Sequence, residues 1–153
     1  MLRYDYRRAL IMLRAVEKGY AGHARLERRT LTGSMCFTAS APGAARLHAA
    51  LVGRNKSGYF AAALGQMRRD GRGQYGLNAS FDPRNIAGKE LEDYALTVIA
   101  AQTEQGYKPV LMGNVAGSVQ MELESVREAV RALFEADSSA AQIEAAPLQN
   151  WSD

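Results

Sequence analysis

Residues 68–83 read RRDGRGQYGLNASFDP, and they join a turn signal to the clearest strand pattern in the chain. Asp70-Gly71 is a hairpin dipeptide: a short hairpin turn needs positive φ, which Gly71 and Gly73 reach without a Cβ clash. Beyond it Tyr75, Leu77, Ala79 and Phe81 alternate with Gln74, Gly76, Asn78 and Ser80. That period of two places an apolar row on one face of a strand and a smaller, more polar row on the other. Asp82-Pro83 closes the strand, because proline donates no ladder hydrogen bond and restricts the residue before it.

Working outward on the N-terminal side, residues 59–67 carry Tyr59, Phe60, Ala63, Leu64 and Met67 at a spacing that suits a helix as well as a strand. Gly65 weakens the helix, and the segment feeds directly into the Asp70-Gly71 turn, which wants a strand on each side; a strand is therefore expected. GRNKSG, residues 53–58, reads as a tight polar turn after a short apolar strand of Leu47, Ala49 and Leu51. A second hairpin is expected from the alternation of His23, Arg25 and Glu27 with Ala24 and Leu26, followed by Met35, Phe37 and Ala39. At the N-terminus Leu2, Tyr4 and Tyr6 alternate and Leu10, Met12 and Arg14 extend the pattern. Tyr6, Leu10, Leu13 and Glu17 also match a helix, but strand neighbours favour a strand over residues 9–16.

On the C-terminal side, residues 82–94 form a charged loop that Ile86 and Leu91 pin to the core. The nearly continuous apolar run of residues 95–101 suits a central strand buried on both faces, and residues 109–115 suit one more, with Pro109 at its first position. Seven or eight strands with regular turn signals mark an antiparallel β-sandwich or barrel. Only near residues 120–136 does the period become 3.6, with Leu123, Val126, Val130, Leu133 and Phe134 on one stripe of an amphipathic helix. The expected organisation is one β-rich domain over 1–136 and a polar acidic tail over 137–153.

With 153 residues the chain is long enough to bury a core without metal or disulfide staples. Its one cysteine, Cys36, has no partner for an internal disulfide, which favours a reducing compartment. No apolar run reaches the roughly 18 residues of a membrane-spanning helix. The run at 9–13 is too short for a secretory signal and is closed by Arg14, so a cytoplasmic protein is expected. The net charge of +3 conceals a polarity: residues 1–89 hold 16 Lys/Arg against 5 Asp/Glu, whereas 90–153 hold 3 against 11. Such a division suits attraction between parts of one fold, between subunits, or toward a polyanion.

Catalytic and metal chemistry has little support. His23 and His48 are the only histidines and have no carboxylate at ligand spacing; Cys36 lacks a nearby histidine; Lys56-Ser57 lacks the spacing of a phosphate loop. No cofactor is expected. The one chemical signal is a basic, aromatic set, in which Arg54, Lys56, Arg68, Arg69 and Arg72 lie near two turns beside Tyr59, Phe60 and Tyr75. An open β-barrel can use such residues to hold a phosphate backbone and stack bases. In the tail, Leu148 and the lone Trp151 are candidate anchors for a partner protein, since tryptophan is enriched at binding hot spots.

The succession Gly19-Tyr20, Ala24-Arg25-Leu26-Glu27, Leu64-Gly65, Asp70-Gly71-Arg72-Gly73, the run from Phe81 to Gly88 and Ala95-Leu96-Thr97-Val98-Ile99-Ala100 resembles a group of small uncharacterised β-rich proteins of clostridia-like bacteria. The resemblance spans about residues 9–101. It implies a β framework with strands over 9–16 and 59–67, and no activity or functional residue. The expected function is that of a non-enzymatic domain that binds protein, itself included, with nucleic-acid or polyanion binding as the alternative.

Overall fold

In the computed structural model, residues 6–43, 45–115 and 121–135 are described, and they form a nine-stranded antiparallel sheet with one helix. The strands are β1 (Arg7–Ala15), β2 (Ala21–Arg28), β3 (Gly33–Ser40), β4 (Arg46–Asn55), β5 (Gly58–Gln66), β6 (Arg68–Arg69), β7 (Gln74–Phe81), β8 (Tyr94–Thr103) and β9 (Gly106–Asn114). Helix α1 covers residues 123–135. The sheet order β5-β4-β8-β9-β1-β2-β3-β7-β6 curls into a nearly closed barrel whose two ends, β5 and β6–β7, approach without pairing along their length. No helix among the described residues is long and apolar enough to cross a membrane.

The sequence pattern explains which half of the barrel is covered. Strands β2, β3 and β7 alternate, sending Ala24, Leu26, Met35, Phe37 and Tyr75 into the barrel and polar or small side chains outward. Strands β4, β8 and β9 are apolar on both faces because they are buried on both. Leu47, Leu51, Ile99 and Leu111 fill the interior, while Val52, Leu96, Val98 and Met112 pack outside against Val126, Val130 and Phe134 of α1. The expected burial of residues 95–101 on two faces is thus met by barrel and helix. Leu123 departs from the helical stripe: it is 39% exposed, since it opens the helix before the packed turns.

Register shifts occur at three places on this covered side, where Leu64, Ala95 and Val110 each stand as an extra residue opposite β4 or β8. A bulge bends its strand and helps a sheet close. It also changes facing: Val110 and Leu111 are consecutive yet both belong to the interior cluster, and Tyr94 joins that cluster beyond the Ala95 bulge. Pro109 sits at the Val110 bulge within β9 and not at the strand's first residue, because β9 begins three residues earlier at Gly106.

Two turn readings are corrected. The 53–58 segment is mostly strand: β4 continues to Asn55, β5 starts at Gly58, and only Lys56-Ser57 turns, with the Asn55 side chain accepting the Ser57 N–H at 2.8 Å. Gly53 lies within β4, and the position has no room for a side chain, since a Cβ there would stand 2.5 Å from both the Asp93 carbonyl oxygen and the Phe60 ring. The Asp70 turn is wider than a two-residue hairpin. Asp70 Oδ1 accepts the N–H groups of Arg72 (2.8 Å) and Gln74 (2.9 Å), and Gly73 rather than Gly71 takes positive φ, +83°. Nor does this turn join β5 to β7 as a hairpin: β5 pairs with β4, β7 pairs along its length with β3, and only Arg68 and Arg69 pair with β7 across the turn.

Candidate functional site

Two surfaces collect the side chains with potential for recognition. The first is the outer face of β1-β2-β3-β7, on the side of the barrel away from α1. Cross-strand pairing sets its rows: Leu10, Arg25, Cys36 and Asn78 lie side by side, and Met12, His23, Thr38 and Gly76 form the next row. Leu10 is 62% and Met12 67% exposed, the two largest exposures among the described large hydrophobic side chains. Beside them a cleft of about 430 Å³ is lined by Arg8, Leu10, Arg25, Glu27, Cys36 and Asn78. Glu27 organises its rim, accepting the Tyr6 hydroxyl at 3.1 Å and facing Arg8 at 3.8 Å and Arg29 at 3.7 Å. Arg29 in turn lies over the Tyr6 ring, 4.9 Å from its centroid.

Sequence reading did not single out Leu10 and Met12 as a surface. The signal was present: β1 carries Ile11 and Leu13 on one face and Leu10 and Met12 on the other, the same two-sided apolarity that marks β8. On β8 the second face is covered by α1; on β1 no described element covers it.

The second surface is where the basic, aromatic set falls, and the structure divides that set. Arg54, Lys56 and Tyr59 gather at the β4–β5 turn, whereas Arg68, Arg69 and Arg72 gather at the other end of β5. The nine residues of β5 between them, at about 3.3 Å each, put the groups roughly 30 Å apart. Within the first group Arg54 lies over the Tyr59 ring at 5.8 Å, and the Tyr59 hydroxyl accepts the Glu122 N–H at 3.4 Å. Tyr75 belongs to neither group: it is 2% exposed, and its hydroxyl is held by the backbone of Ala45. Phe60 faces the interior, packed edge-on to Tyr94 with Lys89 over its outer side at 4.6 Å. Leu148 and Trp151 lie outside the described residues.

Among the described residues, no three His, Cys, Asp or Glu side chains come together to hold a metal ion. His48 packs under the end of α1, its Nε2 3.1 Å from Gln102 Oε1 and its ring against Tyr107 and Phe134 at 5.3 and 5.2 Å. Cys36 is half-buried on the open face.

Tyr94, Tyr20 and Asp82 stand away from their ordinary ranges, and each reports on architecture. Burial, with the Asp93 carboxylate adding to it, raises Tyr94, whose hydroxyl donates to the Ile86 carbonyl at 2.7 Å and so anchors the loop that closes one barrel end. Burial also raises Tyr20 at the other end, assisted by Glu17. Asp82 is lowered by the backbone N–H of Arg84, which it accepts at 2.9 Å in the turn after β7. Comparison of the chain with protein-family models, with curated proteins and with solved structures finds no match.

Proposed function

We propose that this chain is a non-enzymatic protein-binding domain that associates with a second copy of itself through the outer face of β1-β2-β3-β7. The observation that supports this reading is the pair Leu10 and Met12, more than 60% exposed on a sheet face that also carries a cleft lined by Leu10, Cys36 and Asn78. Two apolar knobs next to a hollow make a surface that is self-complementary under a two-fold rotation: the knobs of one copy fill the hollow of the other, and Arg8 or Arg25 meets Glu27. A face four strands wide and about seven residues long covers roughly 400 Å² per copy. That is below the area of a permanent dimer, so the association is weak and concentration-dependent.

Sedimentation velocity over a range of concentrations tests it. The wild-type chain is expected to shift from monomer toward dimer as concentration rises, and the Leu10→Glu, Met12→Glu variant to remain monomeric while keeping its melting temperature. A wild-type chain that stays monomeric throughout removes the reading. A Leu148→Ala, Trp151→Ala variant separates the tail's part: loss of the dimer there with retention in the β1 variant moves the contact to the tail. Polyanion binding, the alternative, is tested by retention on heparin, which falls steeply with salt if phosphate-like contacts dominate.

A further inference from the structure

The nine described strands do not close the barrel between β5 and β7. Among the described residues, β5 pairs only with β4, and β7 pairs with β3 on one side and, on the other, only with the two residues of β6 at Gly76 and Tyr75. The edge of β5 from Gly58 to Leu64 and the edge of β7 from Leu77 to Phe81 therefore face each other with no described strand between them. Phe60 and Leu64 on one side and Leu77 and Phe81 on the other point inward, pack on the interior cluster and stay only partly buried. At one end the strands converge, with Leu77 near enough that a Cβ on Gly65 would meet it at 3.4 Å.

Cations stand at both ends of this opening. Lys56 turns into the start of β5 and Lys89 lies over Phe60, while Arg68 and Arg69 follow the end of β5. Of the carboxylates nearby, Asp70 is engaged by its own turn amides, Asp82 by Arg84, Asp93 by the Glu90 N–H and Glu92 by Arg28 at 3.0 Å. Unpaired strand edges are templates for an incoming strand, whose backbone supplies hydrogen bonds and whose alternate side chains find pockets.

From this geometry we infer that the β5–β7 opening is a docking site for an extended segment of a partner protein, one that alternates apolar with polar residues and carries carboxylates at both ends. The segment adds as a strand along the β5 edge. Its inward side chains complete the cover over Phe60, Leu64, Leu77 and Phe81, and its terminal carboxylates meet Lys56 and Lys89 at one end and Arg68 and Arg69 at the other. This site uses the free edge of β7, whereas Leu10 and Met12 stand on the outer face three strands away on β1, so either surface can fail without the other.

The test uses the full chain and a synthetic peptide in which valine and threonine alternate between paired glutamates. Fluorescence anisotropy measures binding, and amide chemical shifts locate it. Saturable binding is expected, with shifts along Gly58–Leu64 and Leu77–Phe81. It should weaken about tenfold in an Arg68→Glu, Arg69→Glu variant, as reversing two rim charges does, and be unchanged in the Leu10→Glu, Met12→Glu variant. Alternate N-methylation of the peptide backbone, which removes ladder hydrogen bonds, should abolish it. Absence of binding, indifference to N-methylation, or shifts confined to the β1-β2-β3 face would overturn the inference. So would tighter binding of a mixed-sequence oligonucleotide at the same amides, which would make the site a nucleic-acid surface.

Discussion

The Tyr75 hydroxyl satisfies both backbone polar groups of one residue, donating to the Ala45 carbonyl at 2.7 Å and accepting the Ala45 N–H at 2.9 Å. Tyr75 is the first inward residue of β7 and Ala45 precedes β4, so this pair ties the open end of the sheet to the strand that bears β5. Tyr75→Phe leaves two partly buried backbone groups without their partner and is expected to cost about 1–3 kcal/mol. Urea unfolding measures it. A loss below about 0.5 kcal/mol would show that water replaces the hydroxyl.

The Asp70 turn distinguishes its two glycines. Gly73 holds φ at +83°, whereas Gly71 lies outside the left-handed region with open space where a Cβ would project. Gly73→Ala is expected to destabilise by about 1–2 kcal/mol through the cost of left-handed backbone, and Gly71→Ala by little or nothing. Melting temperatures of the two variants check the order, and a larger drop for Gly71→Ala would contradict the turn geometry.

Phe81 closes β7 by laying its ring on the bare backbone of Gly33, where a Cβ would stand 2.5 Å from the ring edge. Phe81→Ala is expected to cost about 3 kcal/mol, the low end for phenylalanine because the ring is partly exposed. Gly33→Ala should be costly alone and much less so with Phe81→Ala, a coupling that a double-mutant cycle reads directly. Simple additivity of the two losses would mean that the ring does not rest there.

Helix α1 holds to the barrel by one end of its stripe more than the other. Phe134, 4% exposed and stacked on Tyr107 at 5.0 Å, is expected to cost about 3–5 kcal/mol when replaced by alanine. Leu123, 39% exposed, should cost below about 1 kcal/mol. Denaturant unfolding of both variants checks the contrast, and equal losses would place Leu123 in a contact as close as that of Phe134.

Alkaline pH should loosen the end of the barrel that Tyr94 anchors. Its folded-state pKa is raised by burial and by Asp93. The stabilisation from the neutral phenol is therefore fully present below the unfolded value near 10 and is lost as pH rises through the higher folded value. Tyr94→Phe gives up the bond to Ile86 at neutral pH but has no phenol to ionise, so its stability relative to wild type should improve as pH passes 10. A constant difference between the two proteins across that range would show that Tyr94 ionises without consequence.

Much of this architecture follows from the sequence alone, because a strand with one wet face must alternate and a strand with two dry faces must not. The alternation of residues 74–81 and 33–40, the unbroken apolarity of 95–101 and the 3.6 period of residues 126–134 determined the strands of a sandwich or barrel, a doubly buried strand and a covering helix; that the strands curl into a barrel was decided by the sheet order. Partnership between strands was decided only in three dimensions. The turn at Asp70 reads locally as a link between two paired strands, yet β7 lies against β3 and β5 against β4, because register is set by which apolar rows share an interior. Facing at Tyr94 and Val110 depended on bulges, which shift parity by one residue without a mark in the pattern. The same limit applies to the basic residues, which are near in sequence across β5 but stand at its opposite ends, since an extended strand separates what it connects. Where the sheet remains open, and which exposed apolar pair lies outside the helix's cover, are properties of closure, and closure is a relation among all nine strands that no single segment of the chain carries.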